Sequence, residues 1–123
     1  MSRICTIAVF SAILLLNSFS GAIAQVSING PACAFAGGNS TFTAVRQGGD
    51  FQGVTNMQWC VTNGEIVQVF SHNASNNGTC ATGENAFSII VHWNSSAAGT
   101  ITLTTPVGDA SPHNVSIPPA LTG

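Results

Sequence analysis

The sequence predicts an all-β protein, an antiparallel β-sandwich of about seven strands. Three observations lead there. After residue 24 no stretch carries apolar residues at helical spacing. Period-two alternation recurs instead, in runs rich in Val, Ile, Thr, Phe and Trp. Clusters of Gly, Asn, Ser and Pro separate the runs, and a chain of short strands punctuated by turns argues for an antiparallel sandwich. At 123 residues there is room for one domain.

The first segment, 1–24, reads as a secretory signal. Arg3 supplies the positive start, and 4–16 is an apolar run too short to span a bilayer. Ala22-Ile23-Ala24 is a small-x-small cleavage site, so the mature chain is expected to begin at Gln25. Without the signal, Arg46 stands alone against Asp50, Glu65, Glu84 and Asp109. So few cations argue against nucleic acid and against an anionic membrane surface as partners. No later stretch is long and apolar enough to span a membrane, and a secreted or cell-surface location is expected.

The strands are expected at Val26–Asn29, 41–45, Met57–Thr62, 65–70, 87–93, 100–104 and 114–117. The domain then covers 25–117, and Pro-rich 118–123 is a tail. Asn63-Gly64 is a strong hairpin signal, since a type I′ turn needs positive φ at both central residues. Such a turn pairs the third run with the fourth and sets Val61 opposite Ile66. Alternation sorts the faces. Met57, Trp59 and Val61 point one way, as do Phe87, Ile89, Val91 and Trp93. With Ile101, Leu103, Val115, Ile117, Val26, Ile28 and Phe42 they form the expected core.

Three cysteines follow the signal, and an exported chain meets an oxidising compartment. Cys60 points away from the core face, and Cys80 lies in a long polar loop, 71–85, able to reach back over that surface. Cys60–Cys80 is the favoured disulfide, with Cys33–Cys60 and Cys33–Cys80 open on spacing alone.

Candidate chemistry is sparse. His72, His92 and His113 lack zinc-ligand spacing, and the four acids form no calcium loop, so no metal site is expected. No G-x-S-x-G elbow occurs, and Glu65 and Glu84 are not placed as a glycosidase pair. Gln47-Gly48-Gly49-Asp50 lacks the Lys and helix of a phosphate loop and reads as a turn. No catalytic residue and no cofactor is expected. Trp59 and Trp93 could stack on sugar rings if exposed, but their face makes them core aromatics. Five N-x-S/T sequons occur, at Asn39, Asn73, Asn77, Asn94 and Asn114.

The run Trp59-Cys60-Val61-Thr62-Asn63-Gly64-Glu65-Ile66 resembles the W-x-V-x-x-G-x-I hairpin of PKD-like domains. Ile89-Ile90-Val91-His92-Trp93 followed by Gly99-Thr100-Ile101-Thr102-Leu103 resembles their I-x-V-x-W…G-x-I-x-L segment. Ile28-Asn29-Gly30-Pro31 and Cys33 resemble their first strand and turn. The W-D-F-G-D-G hallmark of better-known PKD domains is absent, and Val107-Gly108-Asp109 stands where relatives often carry a Cys. The resemblance implies an immunoglobulin-like sandwich found in secreted and surface proteins of bacteria, especially Bacteroidetes-type organisms. It implies a non-catalytic module for protein or carbohydrate contact, or a spacer. Two other roles stay open: a structural subunit that self-associates through strand edges poor in charge, and an accessory domain or fragment of a larger secreted hydrolase.

Overall fold

The computed structural model describes residues 25–119; the expected signal over 1–24 and the end of the tail lie outside them. The described chain is all-β, with no helix and seven strands: β1 (Val26–Asn29), β2 (Asn39–Arg46), β3 (Met57–Thr62), β4 (Gly64–Asn76), β5 (Cys80–Trp93), β6 (Gly99–Thr104) and β7 (His113–Val115). All strand pairings are antiparallel, in the order β1-β2-β5-β3-β6-β7, with β4 also on β5. The strands thus form one continuous sheet. A parallel bridge between Cys33 and Ser116 nearly closes it: Ala34 N donates to Ser116 O at 3.0 Å and Ser116 N to Ala32 O at 2.8 Å.

The long strand β5 organises this arrangement. β4 runs along one side of it. On the other side β3 takes 80–83 and β2 takes 88–92. The two neighbours part at Asn85, which has a left-handed φ of 51° and donates its backbone N–H to Val54 O at 2.8 Å. Asn tolerates that conformation better than most residues. β4 keeps pace through register shifts between Ile66 and Gln68, Phe70 and His72, and His72 and Ser75; such bulges bend a strand and increase its twist.

Two local expectations change. The pair β3–β4 is not a hairpin: β3 bonds to β5 and β6, and β4 bonds to β5. Asn63 does adopt positive φ, at 55°, but Gly64 enters β4 directly, opposite Trp93. Gly64 is needed for room rather than for a turn. A Cβ there would sit 2.8 Å from Val91 Cγ1 and 3.0 Å from Trp93 Cε3. Asn63 anchors the crossover instead. Its Nδ2 donates to Ser95 O and Ala97 O, each at 2.8 Å, and its Oδ1 accepts from Ser95 Oγ at 2.8 Å. The expected loop over 71–85 is the far half of the β4–β5 hairpin. Its polar residues show no apolar alternation because most of that half of β4 faces water. Backbone pairing and the turn hold it: Asn77 Oδ1 accepts from Thr79 N at 3.0 Å and Cys80 N at 2.8 Å, and Gly78 takes φ 97°.

The core contains Trp59, Trp93, Phe42, Met57, Ile66, Ile89, Val91, Ile101, Leu103 and Val115, all with essentially no exposed surface. Both indoles are hydrogen-bonded: Trp59 Nε1 donates to Ala86 O at 2.7 Å and Trp93 Nε1 to Ser40 Oγ at 2.9 Å. A buried N–H without a partner would cost about 1–3 kcal/mol, so these bonds make burial of the rings workable. Phe42 meets Trp93 edge to face, with centroids 6.1 Å apart. Among the described residues no buried side-chain nitrogen or oxygen lacks a hydrogen bond.

Candidate functional site

The residues singled out in the sequence have structural surroundings. Cys60 and Cys80 are register partners on β3 and β5, with Cα atoms 4.1 Å apart, and form a disulfide. It fastens the start of β5, on the side away from β4, to the middle of the sheet. Trp59 lies one residue before Cys60, facing the core. Neither Trp offers a surface for stacking a ligand, since each is 0% exposed.

The histidines are dispersed. His92 Nδ1 and Asn39 Oδ1 lie 2.8 Å apart across the β2–β5 pair. His113 Nε2 is 2.9 Å from Pro31 O, and its ring packs against Phe42. His72 is exposed on β4. Among the described residues no group of three or more His, Cys, Asp or Glu could hold a metal ion. The 47–50 stretch is a turn, with Gly48 at φ 79° and a bridge between Arg46 and Gly49.

The surface feature with chemical character was not legible in the alternation. Phe87 was expected in the core with Ile89, Val91 and Trp93, but it is 44% exposed. The register accounts for it: Phe70 of β4 pairs with Ser88 and His72 with Glu84, so Phe87 falls in a skipped stretch of β5 beside Asn85, whose left-handed φ breaks the regular alternation. Phe87 meets Phe70 of β4 with ring centroids 6.1 Å apart and planes tilted by 37°. Two shallow depressions flank it. One, of about 420 Å³, runs from Ala44 and Val45 past Arg46 to Phe51 and Gln52. The other, of about 300 Å³, is bounded by Phe70, Ser71 and His72. Asn85 and Phe87 border both.

The polar turn at 46–52 on this face is held by hydrogen bonds. An Arg46 guanidinium N–H donates to Asp50 O at 2.9 Å, and Asp50 Oδ1 accepts from Gln52 N at 3.1 Å. The turn is anchored beneath by Phe51, 3% exposed, and by Val54 N donating to Phe51 O at 3.0 Å. One guanidinium, one carboxylate, two side-chain amides and an exposed phenyl ring therefore share one face. The sequence signals that could have found it are Asn85, a residue suited to a bulge in mid-strand, and the turn-forming Gly48-Gly49-Asp50 beside Arg46, the one Lys or Arg among the described residues.

No known family model matches the chain, and a search of curated proteins finds no match. Among the described residues no helix is long and apolar enough to cross a membrane.

Proposed function

We propose that the chain is a secreted, non-catalytic module of PKD-like type that makes contact with an extracellular protein or carbohydrate through the Phe87 face. The observation that carries the reading is Phe87 itself. Phe87, 44% exposed, packs on Phe70 and shares a depression with the equally exposed Val45; an apolar patch rimmed by polar groups and beside depressions is a mark of interaction sites. Extracellular residence is supported by the Cys60–Cys80 disulfide, a bond that persists in oxidising compartments. The PKD-like reading is supported by the positions of the motif residues: Trp59 and Val61 on β3, Val91 and Trp93 on β5, and Ile101 and Leu103 on β6 all face one core.

A contact module is favoured over a subunit joined through strand edges. The ends of the sheet are tied together by the Cys33–Ser116 bridge. Part of the outer edge of β4 is also used internally, since Ile66 N donates to Gly78 O at 2.7 Å. A labelled chain and its Phe87→Ala variant, applied to arrays of glycans and of extracellular proteins, test the proposal. Binding by the parent that the variant loses, at equal folding, is the expected result. Equal binding by both would remove the face from the account. N-terminal sequencing of exported material should begin at Gln25; intact Met1 in a membrane fraction would refute secretion.

A further inference from the structure

The chemistry of the Phe87 face narrows what it can hold, an inference that rests on the contact-module reading. Three features decide the ligand class. First, the face offers no run of open backbone edge along β5. β4 and β2 both pair with 88–92 and β3 pairs with 80–83; in the short gap at 85–87, Asn85 N is bonded to Val54 O and Ala86 O to Trp59 Nε1, so an extended peptide has no continuous edge of β5 to add to. Second, the walls alternate apolar and polar. Phe70 and Phe87 form a bent apolar floor, while Asn85 stands between the two depressions and Gln52 at the far rim. A side-chain amide both donates and accepts, which matches a ligand hydroxyl that does the same. Third, the fixed charges balance. Arg46 and Asp50 share the rim, and the guanidinium already donates to the Asp50 carbonyl.

We propose that the two depressions on either side of Phe87 are adjoining subsites for a neutral oligosaccharide, with the phenyl ring stacked on the apolar C–H face of one sugar ring. Each depression is near the lower end of the range for small-molecule sites, about 300–1,000 Å³, which suits one ring apiece. Gln52 and Asn85 take hydroxyls around the rings. Asn85 is pre-set for this role, because its backbone N–H is bonded to Val54 O and its φ is held at 51°. An open, polar-walled site of this kind gives modest affinity, and specificity comes from which hydroxyls meet the amides.

The test is calorimetric titration of the full exported chain with soluble neutral hexasaccharides of glucose, mannose, galactose and xylose, at low and at 1 M salt. At least one should bind, with little change between the two salts, since no ion pair is formed. Phe87→Ala should weaken that binding at least tenfold, Phe87→Trp should retain it, and Gln52→Ala, at an exposed position, should weaken it several-fold. Matched urea midpoints show that the variants are folded, and Gln52→Ala decides the matter if Phe87→Ala does not fold. Absence of binding by every sugar, or binding unchanged in Phe87→Ala and Gln52→Ala, overturns the assignment. Loss of protein contact in Phe87→Ala without any sugar binding by the parent overturns the sugar and leaves the contact face standing. No loss of any contact overturns both.

Discussion

The side-chain amide of Asn76 donates to the backbone carbonyl of Ile66 at 2.7 Å, although both residues belong to β4 and lie ten positions apart. Ten residues fully extended would span roughly 33–36 Å. The contact therefore requires β4 to fold over on itself, and the bulges at 66–68, 70–72 and 72–75 make that turn. The same curvature brings Gly78 O to Ile66 N at 2.7 Å and Thr79 O to Val61 N at 2.9 Å. The hairpin tip thus closes over the β3–β4 crossover, and Phe87 is left on the outside of the bend.

Reducing the Cys60–Cys80 bond, or replacing both residues with Ala, should destabilise the domain by about 3 kcal/mol, the chain-entropy value for a closed loop of this size. The loop separates residues 20 apart in sequence. Urea unfolding with and without reductant measures it, and peptide mapping without reduction should recover a Cys60–Cys80 peptide. A Cys33-containing peptide joined to Cys60 or Cys80 would contradict the structure.

Trp59→Ala should cost about 3–5 kcal/mol, as large-to-small core changes do. In so small a domain such a loss is most of the stability. Trp59→Phe should still cost about 1–3 kcal/mol, because the Ala86 carbonyl loses its donor. Both Trp residues should emit in the blue range in the native state and shift red on unfolding. Red emission from the native protein would refute their burial.

Two glycines should respond differently to Ala. Gly64→Ala places a methyl 2.8 Å from Val91 Cγ1, an overpacking expected to cost about 1–3 kcal/mol. Gly48 has φ 79° and open space around it, so Gly48→Ala should cost only the left-handed backbone penalty, roughly 1–2 kcal/mol. Thermal unfolding of the two variants gives the comparison. A larger loss at Gly48 would show that the crowding around Gly64 relaxes freely.

Asn63→Ala removes three side-chain hydrogen bonds to the 95–97 segment. They are exposed, so their loss should cost about 1–2 kcal/mol, at the low end of the per-bond range, and Ala at the left-handed φ of 55° adds roughly 1 kcal/mol more. The diagnostic readout is local: amide hydrogen exchange in 94–98 should accelerate while the core strands keep their protection. Unchanged exchange in that loop would mean that the Asn63 contacts do not hold it.

The number of strands, and the apolar part of each, were legible in the chain because alternation reports which residues face a core, and Trp59, Val61, Val91, Trp93, Ile101 and Leu103 alternate cleanly. The Cys60–Cys80 bond was favoured because Cys60 faces away from the core and a polar loop could carry Cys80 over it; in the structure Cys80 instead opens β5 and meets Cys60 as its register partner. Pairing was not. Asn63-Gly64 carries the local signature of a tight hairpin, yet a hairpin between β3 and β4 would have set polar Gln68 against Trp59. In the folded chain β3 lies between β5 and β6, where its residues face Ala81, Leu103 and Ile101 instead. The second half of β4 was also invisible, because a strand whose side chains mostly face water needs no apolar period; it is held by backbone bonds to β5 that no side-chain pattern encodes. Phe87 illustrates the same limit at the candidate site. Its place in the alternating run assigns it to the core, and only the break in alternation at Asn85, where two neighbouring strands part company on β5, turns it to the surface. Local periodicity is a property of a few adjacent residues, whereas bends, closure and the exposure they create arise where strands distant in the chain compete for the same edge.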